Sequence, residues 1–158
     1  MQLEVTRIVD VHVPQSAAWA LLRDVARLSA CIPRLSDLQV IEVDQHYTGV
    51  VSDKLGPFSL KVPVRIDVLT VDAPSRITAG LAGDDQKGQA RVRGTLEALA
   101  EPTDAKSTRL TLGMRIEVLG KLASLGASPM RHRADDLFNT FVENVRVELG
   151  DALPAQIG

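Results

Sequence analysis

Apolar and polar residues alternate over much of the first two thirds of the chain, a pattern typical of half-buried β-strands. The clearest alternation covers residues 58–68, where every second residue is apolar. Pro63 falls inside this strand and has no N–H to donate, so we expect a free edge or a bulge there. The same pattern predicts a first strand over residues 3–13 and a meander of six strands between Leu38 and Val118.

The final segment changes period, because apolar residues recur every three or four positions from Met130 to Leu149. This spacing predicts a long amphipathic helix. We expect the helix to start near Gly120 and to be kinked or broken at Pro129. Two short helices are predicted before the meander, over residues 16–23 and 24–29, with Asp24 in a position to cap the second.

A meander must bury one of its faces, and only the last helix is long enough to cover it. The pattern therefore predicts an α+β protein of two layers. With 158 residues, the chain should form a single domain over residues 1–150, followed by a short tail over residues 151–158.

Composition narrows the class of protein. Hydrophobic residues make up 45% of the chain and charged residues 24%, and the formal net charge is −2. Basic blocks and aromatic residues are both scarce, so we expect no nucleic-acid partner. No apolar run approaches the ~20 residues that span a bilayer, and the first residues do not form the apolar core of a signal peptide. We expect a cytoplasmic protein, and contact with the inner face of the cell membrane stays open.

Residues with reactive side chains are few and scattered. Cys31 is the only cysteine, so it can form neither an internal disulfide nor a thiolate metal site. His12, His46 and His132 show no metal-ligand spacing. We therefore expect no metal, no cofactor and no catalytic triad. Four arginines could form a basic patch on one face of the sheet: Arg91, Arg93, Arg109 and Arg115. The simpler interpretation is an outer, solvated face lined by long charged side chains.

Three short motifs follow one another along the chain: Ala30-Cys31-Ile32-Pro33, Lys54-Leu55-Gly56-Pro57-Phe58 and Gly120-Lys121-Leu122-Ala123-Ser124-Leu125-Gly126. In this order they resemble the carbon monoxide dehydrogenase G-subunit family, and the resemblance covers nearly the whole chain. That family belongs to the START-like (SRPBCC), helix-grip superfamily, in which a curved antiparallel sheet wraps a long C-terminal helix. The family's usual Cys-Ile-Pro-Gly becomes Cys-Ile-Pro-Arg here, with Arg34 in the last position.

The resemblance implies an accessory protein that works with a molybdenum hydroxylase of the carbon monoxide dehydrogenase type. The accessory protein would carry a quinone or a lipid and would do no catalysis itself. A core face poor in large aromatic residues agrees with an apolar cavity under the helix. We expect it to open between residues 80–88 and residues 120–130. The predicted ligand-binding residues, with Tyr47 or Asp53 near a polar head group, are Tyr47, Val51, Asp53, Val62, Val64, Leu81, Val92, Leu112, Met114, Met130, Phe138 and Phe141.

Two alternatives remain at this point. Other START-like proteins are enzymes of the cyclase or hydratase kind, and Tyr47, Asp53 and a residue of the last helix would supply the polar groups that such chemistry needs. A ligand-free assembly factor with a packed core is the other alternative.

Overall fold

The computed structural model describes residues 1–151 of the 158. Apart from Asp151, the tail expected over residues 151–158 lies outside the described residues. These described residues form seven strands and three α-helices, with a short 3₁₀ helix, Lys121–Leu125, before the last one. The remaining elements are β1 (Gln2–Val11), α1 (Gln15–Arg23), α2 (Val25–Ala30), β2 (Leu35–Glu42), β3 (His46–Leu55), β4 (Phe58–Asp72), β5 (Arg76–Asp84), β6 (Arg91–Asp104), β7 (Ser107–Leu119) and α3 (Ala127–Glu148).

The strands form one antiparallel sheet in the order β1-β7-β6-β5-β4-β3-β2. Strands β2 to β7 form the predicted meander, and the last of them, β7, pairs with β1. The ladder between β4 and β5 ends at Val64 and Gly83, so Pro63 pairs only with β3. The free edge predicted at Pro63 is confirmed, and the α+β helix-grip architecture is confirmed with it.

The sheet is curved, and Gly94 on β6 shows one place where its strands approach very closely. A Cβ on Gly94 would lie 2.1 Å from the carbonyl oxygen of Arg115 and 2.6 Å from the Cα of Ile116, both on β7. Real side chains cannot tolerate such distances from backbone atoms, so only glycine fits here. Close approaches of this kind let a sheet coil around a helix.

Helix α3 lies on the concave face of the sheet, as the period of its apolar residues predicts. Met130, Phe138 and Val145 are buried, and the rings of Phe138 and Phe141 meet edge to face with centroids 5.6 Å apart. Arg7 on β1 ties the polar side of the helix to the sheet through hydrogen bonds to Asp135 and Asn139.

The predicted start of this helix was wrong. The segment from Gly120 begins with the 3₁₀ helix, and α3 begins only at Ala127, after Gly126 at φ 90°. Pro129 is then the third residue of α3. Because the first four N–H groups of a helix have no partner within it, Pro129 removes no hydrogen bond and causes neither a kink nor a break.

Helices α1 and α2 cover one end of the concave face. Asp24 caps α2 by accepting a hydrogen bond from the Arg27 amide at 3.2 Å, as predicted. Leu21 and Leu22 of α1 are fully buried and join a cluster that includes Val145 of α3. A second cluster packs around Met130, Leu122 and Val118 near the start of α3.

The outer face of the sheet carries ion pairs rather than a free basic patch. Arg109 pairs with Asp10 at 2.9 Å, and Arg115 pairs with Glu4 at 3.3 Å. Arg91 lies 3.3 Å from Asp84. These are exposed pairs of long side chains on a solvated face, as the simpler interpretation of the sequence predicts.

Strand β2 is one edge of the sheet and is irregular. Its pairing with β3 shifts register between Ser36 and Gln39 and again between Val40 and Glu42. Val40, Ile41 and the following Val43 are at least half exposed. Across residues 1–151, no helix combines the length and the apolar character that crossing a bilayer requires.

Candidate functional site

A cavity of about 310 Å³ lies between the concave face of the sheet and α3. Its wall draws on both packed clusters and on α2, and aliphatic side chains form nearly all of it. Small-molecule pockets in proteins span roughly 300–1,000 Å³ and are mostly apolar. The cavity is therefore large enough for a small hydrophobic molecule, or for part of a larger one.

The structure places eleven of the twelve predicted binding residues on the wall of this cavity. They come from five strands and from α3, and are Val51, Asp53, Val62, Val64, Leu81, Val92, Leu112, Met114, Met130, Phe138 and Phe141. The alternation along the strands places them there, because it turns every second side chain towards the helix.

Tyr47 is not among the residues that line the cavity, so its predicted place beside a head group was wrong. Its side chain is packed in the core, 2% exposed, and its hydroxyl accepts a hydrogen bond from the Asp44 amide at 2.8 Å. Tyr47 shares a strand face with Asp53, but six residues of extended chain separate them by about 20 Å. The two residues therefore cannot act on one small head group.

Backbone hydrogen bonds join residues 88–89 to residues 121–122, where the entrance between residues 80–88 and 120–130 was expected. The Lys121 amide donates to the Gly88 carbonyl at 3.1 Å, and the Leu122 amide donates to the Gln89 carbonyl at 2.8 Å. Gly120, at φ 91°, permits this contact, since a Cβ there would lie 2.9 Å from both carbonyl oxygens. The glycines join the two segments instead of parting them.

The cavity instead opens beside the loop after α2. Pro33, Arg133 and Leu137 line both the cavity and an adjoining surface depression. The other residues of the depression are Arg34, Asp136 and Thr140. We call this opening, between the loop 32–34 and the first half of α3, the mouth of the cavity.

An ion pair between Asp53 on β3 and Arg133 on α3 spans the mouth. Arg133 donates from Nη2 to Asp53 Oδ1 at 2.7 Å and from Nε to Asp53 Oδ2 at 2.9 Å. Such a two-pronged geometry is among the strongest that a guanidinium and a carboxylate form. The Asp53 side chain is only 8% exposed, and that of Arg133 is 28% exposed.

The charges around Asp53 determine its protonation. Burial raises the pKa of Asp53, but the hydrogen bonds from Arg133 and the Lys54 amide, with the charges of Arg133 and Arg34, outweigh it. The pKa of Asp53 is therefore held below its ordinary value, and the carboxyl is ionised at neutral pH. Its partnership with Asp53 raises the pKa of Arg133 in turn.

Arg34 is the second cationic residue of the mouth. Its Nε lies 3.9 Å from Asp53 Oδ1, too far for a hydrogen bond, and its side chain is 57% exposed. Its backbone lies in the left-handed region, at φ 71°. Residues other than glycine adopt this conformation rarely.

The reactive residues considered from the sequence do not converge on a site. Cys31 is buried, and burial, followed by the charge of Glu148, raises the pKa of its thiol. His12, His46 and His132 lie apart, each beside a carboxylate. Within residues 1–151, no group of three His, Cys, Asp or Glu side chains is placed to hold a metal ion.

Arg133, Arg34, Pro33 and Leu137 are site residues that the sequence interpretation missed. A signal for Arg133 exists in the helix pattern, because it lies three residues after Met130 and four before Leu137. A charged residue on that stripe interrupts the apolar face. Nothing comparable marks Asp53 as its partner, since 80 residues separate the two.

Solved structures with the same fold come from several bacteria. A conserved protein from Geobacillus kaustophilus is 20% identical, with 95% of each chain covered and a TM-score of 0.81. A START superfamily protein from Mycobacterium smegmatis is 12% identical, with 93% of this chain and 97% of the other covered and a TM-score of 0.73. The Zhui aromatase/cyclase from Streptomyces sp. R1128 is 16% identical over 100% and 99% of the chains, with a TM-score of 0.64. These likenesses show a START-like fold.

No curated protein sequence matches the chain. The sequence model of the carbon monoxide dehydrogenase G-subunit (CoxG), however, matches residues 8–150. This match spans both short helices, the meander and the whole of α3, and therefore includes the mouth and every residue of the cavity wall except Leu3. The chain belongs to the CoxG family, named for the G-subunit of carbon monoxide dehydrogenase.

Proposed function

We propose that this protein is a non-enzymatic carrier that holds a quinone or a lipid in the cavity under α3. The observation that carries the proposal is the cavity itself, about 310 Å³ and walled by aliphatic side chains. Transfer of each CH₂ group of a ligand from water contributes roughly 0.8 kcal/mol. An apolar tail can therefore be bound without a specific polar contact.

The client of the carrier would be a molybdenum hydroxylase of the carbon monoxide dehydrogenase type. Support for this part comes from the family, whose description names a subunit of that enzyme. We place the carrier in the cytoplasm, where it would meet the inner face of the cell membrane to exchange an apolar cargo. That contact would be peripheral.

A START-like enzyme is the main alternative, and the mouth gives little support to it. Asp53 is the carboxylate that the sequence offers for such chemistry, but two hydrogen bonds from Arg133 and one from the Lys54 amide occupy its oxygens. A general acid or base needs to reach the substrate and to change its protonation state near neutral pH. The lowered pKa of Asp53 opposes both roles.

The alternative of a ligand-free assembly factor predicts a filled core. Protein interiors are normally packed to the density of organic crystals, and voids in them are small. An aliphatic void of this size costs packing energy unless a guest fills it. The cavity therefore favours a carrier over an assembly factor without a ligand.

The test is to purify the full chain without detergent, extract it with organic solvent and identify the extract by mass spectrometry. We expect a quinone or a lipid in an amount approaching one molecule per chain. Protein that yields no apolar molecule, and that also fails to bind an added quinone or phospholipid, would refute the carrier and favour the assembly factor.

A further inference from the structure

We propose that Arg34 and Arg133 form a head-group site at the mouth, which selects ligands whose head presents a hydrogen-bond acceptor oxygen. A carboxylate or a ketone or quinone carbonyl would be accepted, and a head that only donates, such as an ammonium group, would be rejected. The inference rests on the proposed carrier function, because the tail of such a ligand would occupy the cavity.

Asp53 itself is not available to a ligand. Its Oδ1 accepts from Arg133 Nη2 and from the Lys54 amide, at 2.7 and 2.9 Å, and its Oδ2 accepts from Arg133 Nε at 2.9 Å. The Asp53 side chain is only 8% exposed, so little of the carboxylate is accessible to a ligand. Asp53 is therefore a positioning residue that holds the Arg133 guanidinium across the mouth.

The arginine side chains at the mouth still have hydrogen-bond donors to offer. A guanidinium carries five N–H groups and no acceptor, and Asp53 takes two of those of Arg133. Arg34 lies beyond hydrogen-bond distance of Asp53, so the pair leaves its donors to solvent or to a ligand. An oxygen acceptor placed between the two guanidinium groups would meet donors from both sides.

A second carboxylate lies at the mouth, and it is exposed to water. Asp136 is the carboxylate that lines the depression; its side chain is 54% exposed and lies 3.6 Å from His132. The Thr140 hydroxyl donates to the Asp136 carbonyl at 3.1 Å. Water screens an exposed carboxylate of this kind, so Asp136 offers a cationic head far less than the two arginines offer an acceptor.

The backbone of Arg34 supplies an independent argument. A φ of 71° suits glycine, whereas a residue with a Cβ adopts it at a cost. Backbone strain of this kind concentrates at functional sites, where the side chain compensates for it by what it does. Here the Arg34 side chain lies at the mouth, with its Nε 3.9 Å from Asp53 Oδ1. This is the position that the head-group site requires.

The two arginines also divide the polar and apolar parts of the ligand. The apolar wall of the cavity includes Val51, Leu35 and Leu137. A desolvated head group among these side chains would lose hydrogen bonds to water without replacement, which is costly. The head must therefore stop at the guanidinium groups while the tail enters the cavity.

The experiment compares three probes with similar tails: dodecanoate, dodecan-2-one and dodecylammonium. Each is titrated below its micelle concentration into delipidated full-length protein by calorimetry. We expect the acid and the ketone to bind at least about tenfold more tightly than the amine, since one charge-assisted hydrogen bond is worth that much. If the acid binds more tightly than the ketone, and its binding weakens with salt, the ligand class is anionic. If the ketone binds as tightly as the acid, the ligand class is a carbonyl compound.

Arg34→Gly is the decisive variant, because glycine adopts φ 71° freely and the protein should fold as the parent does. We expect it to lose about fivefold to tenfold of its affinity for dodecanoate and none for dodecylammonium. Arg34→Lys, which keeps the charge, should recover part of the loss.

The failure of the head-group site can be distinguished from that of the carrier. Equal affinities for all three probes, unchanged in Arg34→Gly, would overturn the head-group site and leave the carrier intact. If none of the probes binds and extraction yields no apolar molecule, the carrier itself is wrong, and the head-group site with it.

Discussion

At the scale of single residues, Asp53 connects β3 to α3 across the mouth. Its carboxylate receives both prongs of Arg133, which lies 80 residues later in the sequence. A buried carboxylate is costly unless it is paired and hydrogen-bonded. The pairing therefore keeps α3 at a fixed distance from β3 while a cavity lies between them.

This pair should make the stability of the protein depend on pH. The folded pKa of Asp53 lies below its unfolded value, which is near 3.9 for an ordinary Asp. Its contribution to the free energy of unfolding is therefore complete above that value and is lost as pH falls through the folded pKa. We expect urea unfolding to show a steeper loss of stability between pH 5 and pH 3 in the parent than in Asp53→Asn.

Asp136→Asn is the matched control for this experiment, because Asp136 lies at the same mouth but is exposed. It should keep the pH dependence of the parent. Parallel curves for the parent and Asp53→Asn would mean that the ion pair contributes nothing to folding.

At the scale of elements, the start of α3 shows how position decides what a proline does. Pro129 occupies the third position of the helix, where its missing N–H costs no hydrogen bond. The break in the helical segment comes instead from Gly126, whose φ of 90° lies outside the helical region. The 3₁₀ helix and α3 are therefore separate elements, and the contact between residues 88–89 and 120–122 belongs to the first of them.

Replacing Pro129 by alanine should therefore change the free energy of unfolding by no more than about 0.5 kcal/mol. Glu143→Pro, at an exposed position inside α3, should cost about 3 kcal/mol or more, since it removes an internal hydrogen bond. Chemical denaturation of both variants measures the difference. A large loss of stability in Pro129→Ala would contradict the assigned start of the helix.

At the scale of the whole molecule, the cavity should accept a larger side chain. Val92 lines the cavity from β6, and Val92→Trp would place an indole inside the cavity. We expect a folded protein, with unchanged or raised stability, that retains little of the quinone or lipid. Solvent extraction with mass spectrometry, together with thermal unfolding, measures both quantities.

Arg93→Trp is the control for this variant, because Arg93 is the next residue and faces the opposite side of the sheet. It introduces the same indole outside the cavity and should retain as much ligand as the parent. Equal retention in Val92→Trp would place the ligand elsewhere.

The sequence predicts the layers of this fold well and its mouth poorly. Alternation along β4 and the period of α3 report which side of each element is buried, and eleven wall residues follow from that. The partnership of Asp53 with Arg133, the position of Tyr47 at the far end of β3 and the bonded contact of Gly88 with Lys121 depend on distances across the folded chain. No local pattern encodes those distances.

The irregular edge formed by β2 bears on how the protein behaves at high concentration. A long, flat, apolar edge strand can pair with a second chain and start aggregation. Val40 and Ile41, with Val43 just after the strand, supply the apolar character, but two shifts of register make β2 irregular. Asp37 and Asp44, both in left-handed conformations, bend the chain further. The edge therefore offers no straight run of free N–H and C=O groups, and the protein can expose these side chains without templating a fibril.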